Sequence, residues 1–92
     1  MKRTMREIAT AVAQEHGLTL EELRNPTHAR RISWPRQEAM TAMRAELQPD
    51  GRHSAYSLNQ IARFFGMKDH TTVIHACQAV PAREAVASER PD

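Results

Sequence analysis

The 92-residue chain has a mass of 10.5 kDa, which fits a single domain and excludes most large enzyme architectures. Its 40% apolar residues suit a compact fold, and its formal charge of +2 gives only a weak global indication of a polyanionic partner. The single cysteine, Cys77, excludes an intramolecular disulfide, and no apolar run approaches the roughly 20 residues that cross a bilayer. We therefore expect a reduced, cytoplasmic protein with no membrane partner and no secretory signal.

Two helices are predicted in the N-terminal part of the chain. Apolar residues at helical spacing predict a helix over 3–16, and Gly17 is placed to end it in the left-handed conformation. Thr19 and Glu22 have the spacing of a capping box, which predicts a short helix over 20–24.

A loop and a third helix follow. Residues 25–34 combine turn-forming residues with no helical period, so we interpret them as a loop. Pro35 then fits the first turn of a helix, because the missing N–H is not needed there. The buried stripe of this helix is predicted to consist of four residues: Ala39, Met40, Met43 and Leu47.

A fourth helix is predicted after a polar loop. Ser57 and Gln60 have the capping-box spacing, and the helix that they begin runs over 57–65 and ends at Gly66. Its apolar residues repeat with helical period rather than in alternation, which favours helix over strand.

The last predicted helix runs over 70–80, with Asp69 as its N-cap and Pro81 just beyond its end. The tail over 81–92 is expected to be a helical extension or disordered. The sequence thus predicts an all-α domain of five or six helices over 3–80.

The last two helices and the glycine turn between them have the spacing of a helix-turn-helix, whose second helix enters the DNA major groove N-terminus first. His70, Thr71 and Thr72 would lead that helix. Threonine methyl groups can pack on thymine, and hydroxyl and imidazole groups can hydrogen-bond to base edges. The pattern alone is also compatible with a helix pair that binds no nucleic acid.

Local charge favours DNA. Residues 24–75 hold eight basic and four acidic side chains, a local balance of +4, and 24–37 holds no acid. Arg36 at a predicted helix N-terminus is unfavourable against the helix dipole unless an anion binds there, and a phosphate would satisfy both the guanidinium and the free N–H groups. The alternative is that these arginines form a solvated face or pair with Glu38 and Glu46.

Two motifs carry a family resemblance. The stretch 61–77, with its Asp69-His70-Thr71-Thr72-Val73 run, and the earlier Pro35-Arg36-Gln37 motif resemble the C-terminal DNA-binding domain of the DnaA replication initiator family. The resemblance covers 3–80. It implies a helical fold related to that of the Trp repressor, and binding to double-stranded DNA at a DnaA box.

The resemblance also implies roles for individual residues. Base readout would come from Asp69, His70, Thr71 and Thr72. Contacts to the DNA backbone or flanking bases would come from six residues: Arg30, Arg31, Arg36, Gln37, Arg44 and Lys68. The family position whose arginine enters the minor groove aligns with His28, close to the first two of these.

The sequence favours a non-enzymatic protein without cofactor. The 92 residues hold no phosphate-binding loop, so the initiator family's ATPase is not expected here. His70, His75 and Cys77 do not share a helix face, which argues against a metal site. We interpret Trp34 as a residue that either fills the core or covers the loop with Arg30 and Arg31, rather than one that stacks on a base.

The predicted function is therefore a regulator of transcription or replication that binds DNA specifically. A protein partner from the replication or transcription machinery is compatible with this. The alternative is an adaptor of the same fold that docks a polymerase subunit or a replication protein without binding DNA.

Overall fold

The computed structural model describes residues 2–27 and 29–89, with side-chain surroundings through Ala82. Over these residues the chain forms five α-helices and no strand, apart from an isolated β-bridge between Leu47 and Ser54. This confirms the predicted all-α fold. The helices are α1 (Met5–Glu15), α2 (Leu20–Leu23), α3 (Arg30–Ala45), α4 (Leu58–Phe64) and α5 (Thr71–Glu89).

Within the described part of the chain, no helix combines the length and hydropathy that crossing a lipid bilayer requires.

Capping boxes fix the starts of three helices. The two predicted boxes are confirmed at α2 and α4. A third box, which the sequence analysis missed, begins α1: the hydroxyl of Thr4 accepts from the backbone N–H of Glu7 at 3.1 Å, and the Glu7 carboxylate accepts in return. Each box satisfies two N–H groups that the first helical turn would otherwise leave without a partner.

Helix α3 is the centre of the fold and packs most extensively against α1 and α5. Its predicted stripe is confirmed at three residues, all with no exposed surface: Ala39, Met40 and Met43. The fourth member, Leu47, was predicted wrongly. The helix ends at Ala45, and Leu47 lies in the β-bridge with 47% of its surface exposed.

The start of α3 was also predicted wrongly. The helix begins at Arg30, inside the segment interpreted as a loop, so Pro35 is the sixth helical residue instead of lying in the first turn. Pro35 removes one backbone hydrogen bond within the second turn. The N-cap, Ala29, provides no side-chain hydrogen bond, and this explains why no capping signal marks the true start.

Helix α5 continues beyond its predicted end. Pro81 lies inside it, and the helix extends to Glu89. The predicted last residue, Val80, is buried and packs towards the rest of the domain. The end of the predicted tail, 90–92, lies outside the described residues.

Candidate nucleic-acid interface

The turn between α4 and α5 is set by a glycine. Gly66 has a φ of +70°, and the chain reverses through two hydrogen bonds back into the end of α4. The N–H of Gly66 donates to the carbonyl of Arg63 at 3.0 Å, and that of Met67 donates to Ala62 at 2.9 Å. This is the Schellman arrangement, in which a left-handed residue satisfies the last helical carbonyls. It places Lys68, which is exposed, at the turn.

The four residues predicted to read bases lie together at the start of α5, and all are exposed. The helix starts one residue later than predicted, at Thr71. The Asp69 carboxylate accepts from the N–H of Thr71 at 2.8 Å, so Asp69 still caps the helix, from one position further out. His70 occupies the position between them, with half of its side chain exposed.

The opposite face of α5 holds it against the domain. Val73 and Ala76 are almost completely buried, and Cys77 is partly buried against the same cluster. The outward face adds two exposed residues that no predicted site included, His75 and Gln78. Their spacing of four and seven residues from Thr71 is the signal that could have revealed them, because such positions share one helix face.

Electrostatics at this helix start favour the ionised form of Asp69. The hydrogen bond from the Thr71 N–H holds the pKa of the Asp69 carboxyl below its usual value, and His70 and His75 act in the same direction. The carboxylate therefore stays charged and available as a hydrogen-bond acceptor at neutral pH.

Arg36 does not lie at a helix N-terminus, contrary to the prediction. It is in the middle of α3 and only 6% exposed. Its guanidinium donates to the carbonyl oxygen of Asn25, and its Nη2 donates to that of Thr27 at 3.0 Å. Burial lowers the pKa of Arg36, which still stays charged at neutral pH. Arg36 thus ties the loop 25–29 to α3.

A second arginine ties the same loop to the helix-turn-helix. The Nε of Arg24, at the end of α2, donates to the carbonyl of Phe64 at 2.9 Å, and its guanidinium lies 4.8 Å from the Phe64 ring centroid. Phe64 is the last residue of α4. The loop and the turn before α5 are therefore neighbours in the fold. No predicted site included Arg24, because sequence alone does not show which carbonyl an arginine meets.

The other predicted backbone contacts are distributed over α3 and the turn. Arg30 and Arg31 occupy the first turn of α3 and are exposed. Arg31 pairs with Glu22 at 3.4 Å across an exposed surface. Gln37 is half-buried in the middle of α3, and Arg44, near its end, donates to the carbonyl of Tyr56 at 2.9 Å. His28 lies outside the described residues.

Trp34 is not a core residue, contrary to the interpretation that it fills the core. It is 41% exposed, and the guanidinium carbon of Arg30 lies 5.3 Å from its ring centroid. Arg30 and Trp34 are four residues apart on α3, so they share one face of that helix.

One group among the described residues has the arrangement of potential metal ligands. Glu15, His16 and Glu38 each offer one ligand atom, and these atoms lie within 4.8 Å of one another. The imidazole of His16 contacts the Glu38 carboxylate at 2.8 Å. The group is at the surface between α1 and α3 and includes none of the histidines of α5.

Comparison with known proteins identifies the family. Residues 5–80 match the family described as "Bacterial dnaA protein helix-turn-helix". The chain is 33% identical over 90 residues to the chromosomal replication initiator protein DnaA of Nostoc sp. PCC 7120, an alignment that covers 98% of the chain and 18% of that protein. It is 40% identical over 73 residues to DnaA of Synechocystis sp. PCC 6803, covering 79% of the chain and 15% of that protein. The chain thus spans less than a fifth of these relatives, and it belongs to the bacterial DnaA helix-turn-helix family.

Proposed function

We propose that this chain binds double-stranded DNA in a sequence-specific manner at a DnaA-box-like site and regulates replication or transcription. The observation that carries the proposal is the exposed start of α5, which presents His70, Thr71 and Thr72 from a helix-turn-helix. Family membership supports it, because the matching relatives are named as replication initiators.

The proposed base contacts come from the first turn of α5. The methyl groups of Thr71 and Thr72 pack on thymine methyls, and their hydroxyls bond to base edges. His70 bonds to a base through an imidazole nitrogen. Asp69, which holds the Thr71 N–H, orients this turn and accepts from an exposed cytosine amino group where one is in reach.

The proposed backbone contacts come from α3 and the turn. Arg30, Arg31, Gln37, Arg44 and Lys68 are assigned to phosphates or flanking bases. The first turn of α3 supports this assignment, since it has no side-chain cap and no acidic residue. A phosphate near its N–H groups would stabilise both the helix end and the arginines.

The role proposed for Arg36 is indirect. Its guanidinium is buried and bonded to Asn25 and Thr27, so it positions the loop that leads into Arg30 and Arg31. Because Arg36 is only 6% exposed, a direct phosphate contact would require it to become accessible. We assign no catalytic role to any residue of the chain.

Fluorescence anisotropy tests the proposal, with a labelled DnaA-box duplex and a scrambled duplex of the same composition titrated at several salt concentrations. We expect tighter binding to the box, and an affinity that falls with salt with a slope of about −0.9 for each phosphate neutralised. Equal affinity for both duplexes would overturn specific readout. Absence of binding to either would overturn DNA binding itself.

A further inference from the structure

Trp34 is exposed although it is the largest apolar side chain of the protein. Among the described residues only Trp34 and Leu47 are large hydrophobic side chains left exposed. Its neighbours Ile32 and Pro35 face the core, so Trp34 occupies the outer side of α3. A single exposed apolar side chain is common on protein surfaces, so the inference depends on the charge that lies beside this ring.

The ring is covered on one side by a cation without an acidic partner. Arg30 lies over Trp34 at 5.3 Å, and no described carboxylate comes within ion-pair distance of Arg30, whereas the adjacent Arg31 pairs with Glu22. A guanidinium that stacks on an aromatic face lies parallel to the ring, and the N–H groups at its edge can still donate hydrogen bonds. The pair therefore combines an apolar surface with a free positive charge.

The surroundings of the pair connect it to the helix-turn-helix. The loop before Arg30 is bonded to α3 through Arg36 and lies beside the end of α4 through Arg24 and Phe64. No acidic residue occurs in 24–37. Both the position and the charge match the DNA that is proposed to contact the turn and the start of α5.

We propose that Trp34 adds a sugar contact to the phosphate contact assigned to Arg30, with the indole ring on a deoxyribose and the guanidinium on an adjacent phosphate of the same strand. This inference rests on the proposed function. Base faces are stacked inside a duplex, so the apolar groups that a ring beside the DNA backbone can reach are the sugars, which alternate with phosphates along each strand. Such a contact positions the protein on DNA without reading sequence.

Trp34 is the only tryptophan in the chain, so its fluorescence reports on this contact alone. We expect saturating duplex to reduce quenching of Trp34 by acrylamide, a neutral quencher that the DNA charge does not repel. Trp34→Leu should weaken binding to box and scrambled duplexes by the same factor, about 3- to 10-fold, since the contact is independent of sequence. Arg30→Ala should in addition reduce the salt slope by about 0.9.

Arg52→Ala is the matched control, because it removes the same charge from an exposed loop beyond the opposite end of α3, about 20 Å away along the helix. It should leave acrylamide quenching and the affinities for both duplexes unchanged. Circular dichroism spectra confirm that each variant keeps its helices.

Three results would overturn the inference. In the first, anisotropy shows the duplex bound while acrylamide reaches Trp34 as freely as before, which leaves the proposed function intact. In the second, the single strand protects Trp34 more than the duplex, which indicates stacking on bases. In the third, no duplex binds, and the proposed function fails together with this contact.

Discussion

The Nε of Arg24 lies 2.9 Å from the carbonyl oxygen of Phe64, and the same guanidinium stacks on the Phe64 ring at 4.8 Å. The two residues are 40 positions apart in sequence. Their contact joins the end of α2 to the end of α4, and so holds the start of the loop between α2 and α3 beside the turn that precedes α5.

Arg24→Ala should loosen this connection. We expect the free energy of unfolding to fall by about 1 kcal/mol, because a single hydrogen bond to a charged group at an exposed site is lost together with the ring contact. Urea denaturation measures the change. Arg6→Ala, which removes an exposed arginine from α1, is the control and should be close to neutral. Equal effects of the two substitutions would contradict a specific role for Arg24.

Arg36→Met should destabilise the domain more than Arg24→Ala does, by about 2–4 kcal/mol, because two carbonyl oxygens lose a charged donor in a partly buried setting. The affinity for the box duplex should also fall. The slope of that affinity against salt concentration should stay unchanged, because no phosphate contact is removed. Urea denaturation and anisotropy over a salt series measure the two effects. A slope that drops by about 0.9 in folded Arg36→Met protein, but not in Arg36→Lys protein, would instead indicate a direct phosphate contact.

The same residue shows where sequence reasoning reached its limit. The rule that proline favours the first helical turn placed the helix start at Pro35, and that made Arg36 look like an end residue bound to an anion. The true start at Arg30 has no capping side chain, so nothing local marks it. The buried bonds of Arg36 to Asn25 and Thr27 depend on tertiary packing, which local patterns do not encode.

Local chemistry was a good guide wherever one segment determines its own structure. The capping boxes at Thr19 and Ser57 and the left-handed Gly17 and Gly66 are all as predicted. Pro81 misled because a proline disfavours a helix but does not forbid it, and α5 continues through Pro81 to Glu89. Leu47 misled because helical spacing continued past the end of the helix.

His70→Ala tests base readout at the start of α5. We expect a loss of about 1–3 kcal/mol in binding to the box duplex and little change with the scrambled duplex, so that the ratio between the two affinities falls. His53→Ala is the control, since His53 is an exposed histidine in the loop between α3 and α4 whose imidazole contacts the Asp50 carboxylate. Anisotropy with both duplexes measures the ratio. An equal loss on the two duplexes would assign His70 to the backbone.

Asp69 links the stability of α5 to pH. The Thr71 N–H lowers the pKa of the Asp69 carboxyl in the folded state, so ionisation stabilises the fold above the unfolded pKa of about 3.9, and this contribution is lost as the pH falls through the lower folded value. Asp69→Asn keeps an acceptor oxygen but not the charge. We therefore expect it to be less stable than the unsubstituted protein at pH 7, with the difference shrinking towards pH 3. Thermal unfolding followed by circular dichroism, in steps of half a pH unit, measures this difference, in which the titrations of other carboxylates cancel.

The control is Asp69→Ala, which also removes the acceptor and should therefore stay less stable throughout the pH range. A stability difference for Asp69→Asn that is constant between pH 7 and pH 3 would contradict the capping role of the charge.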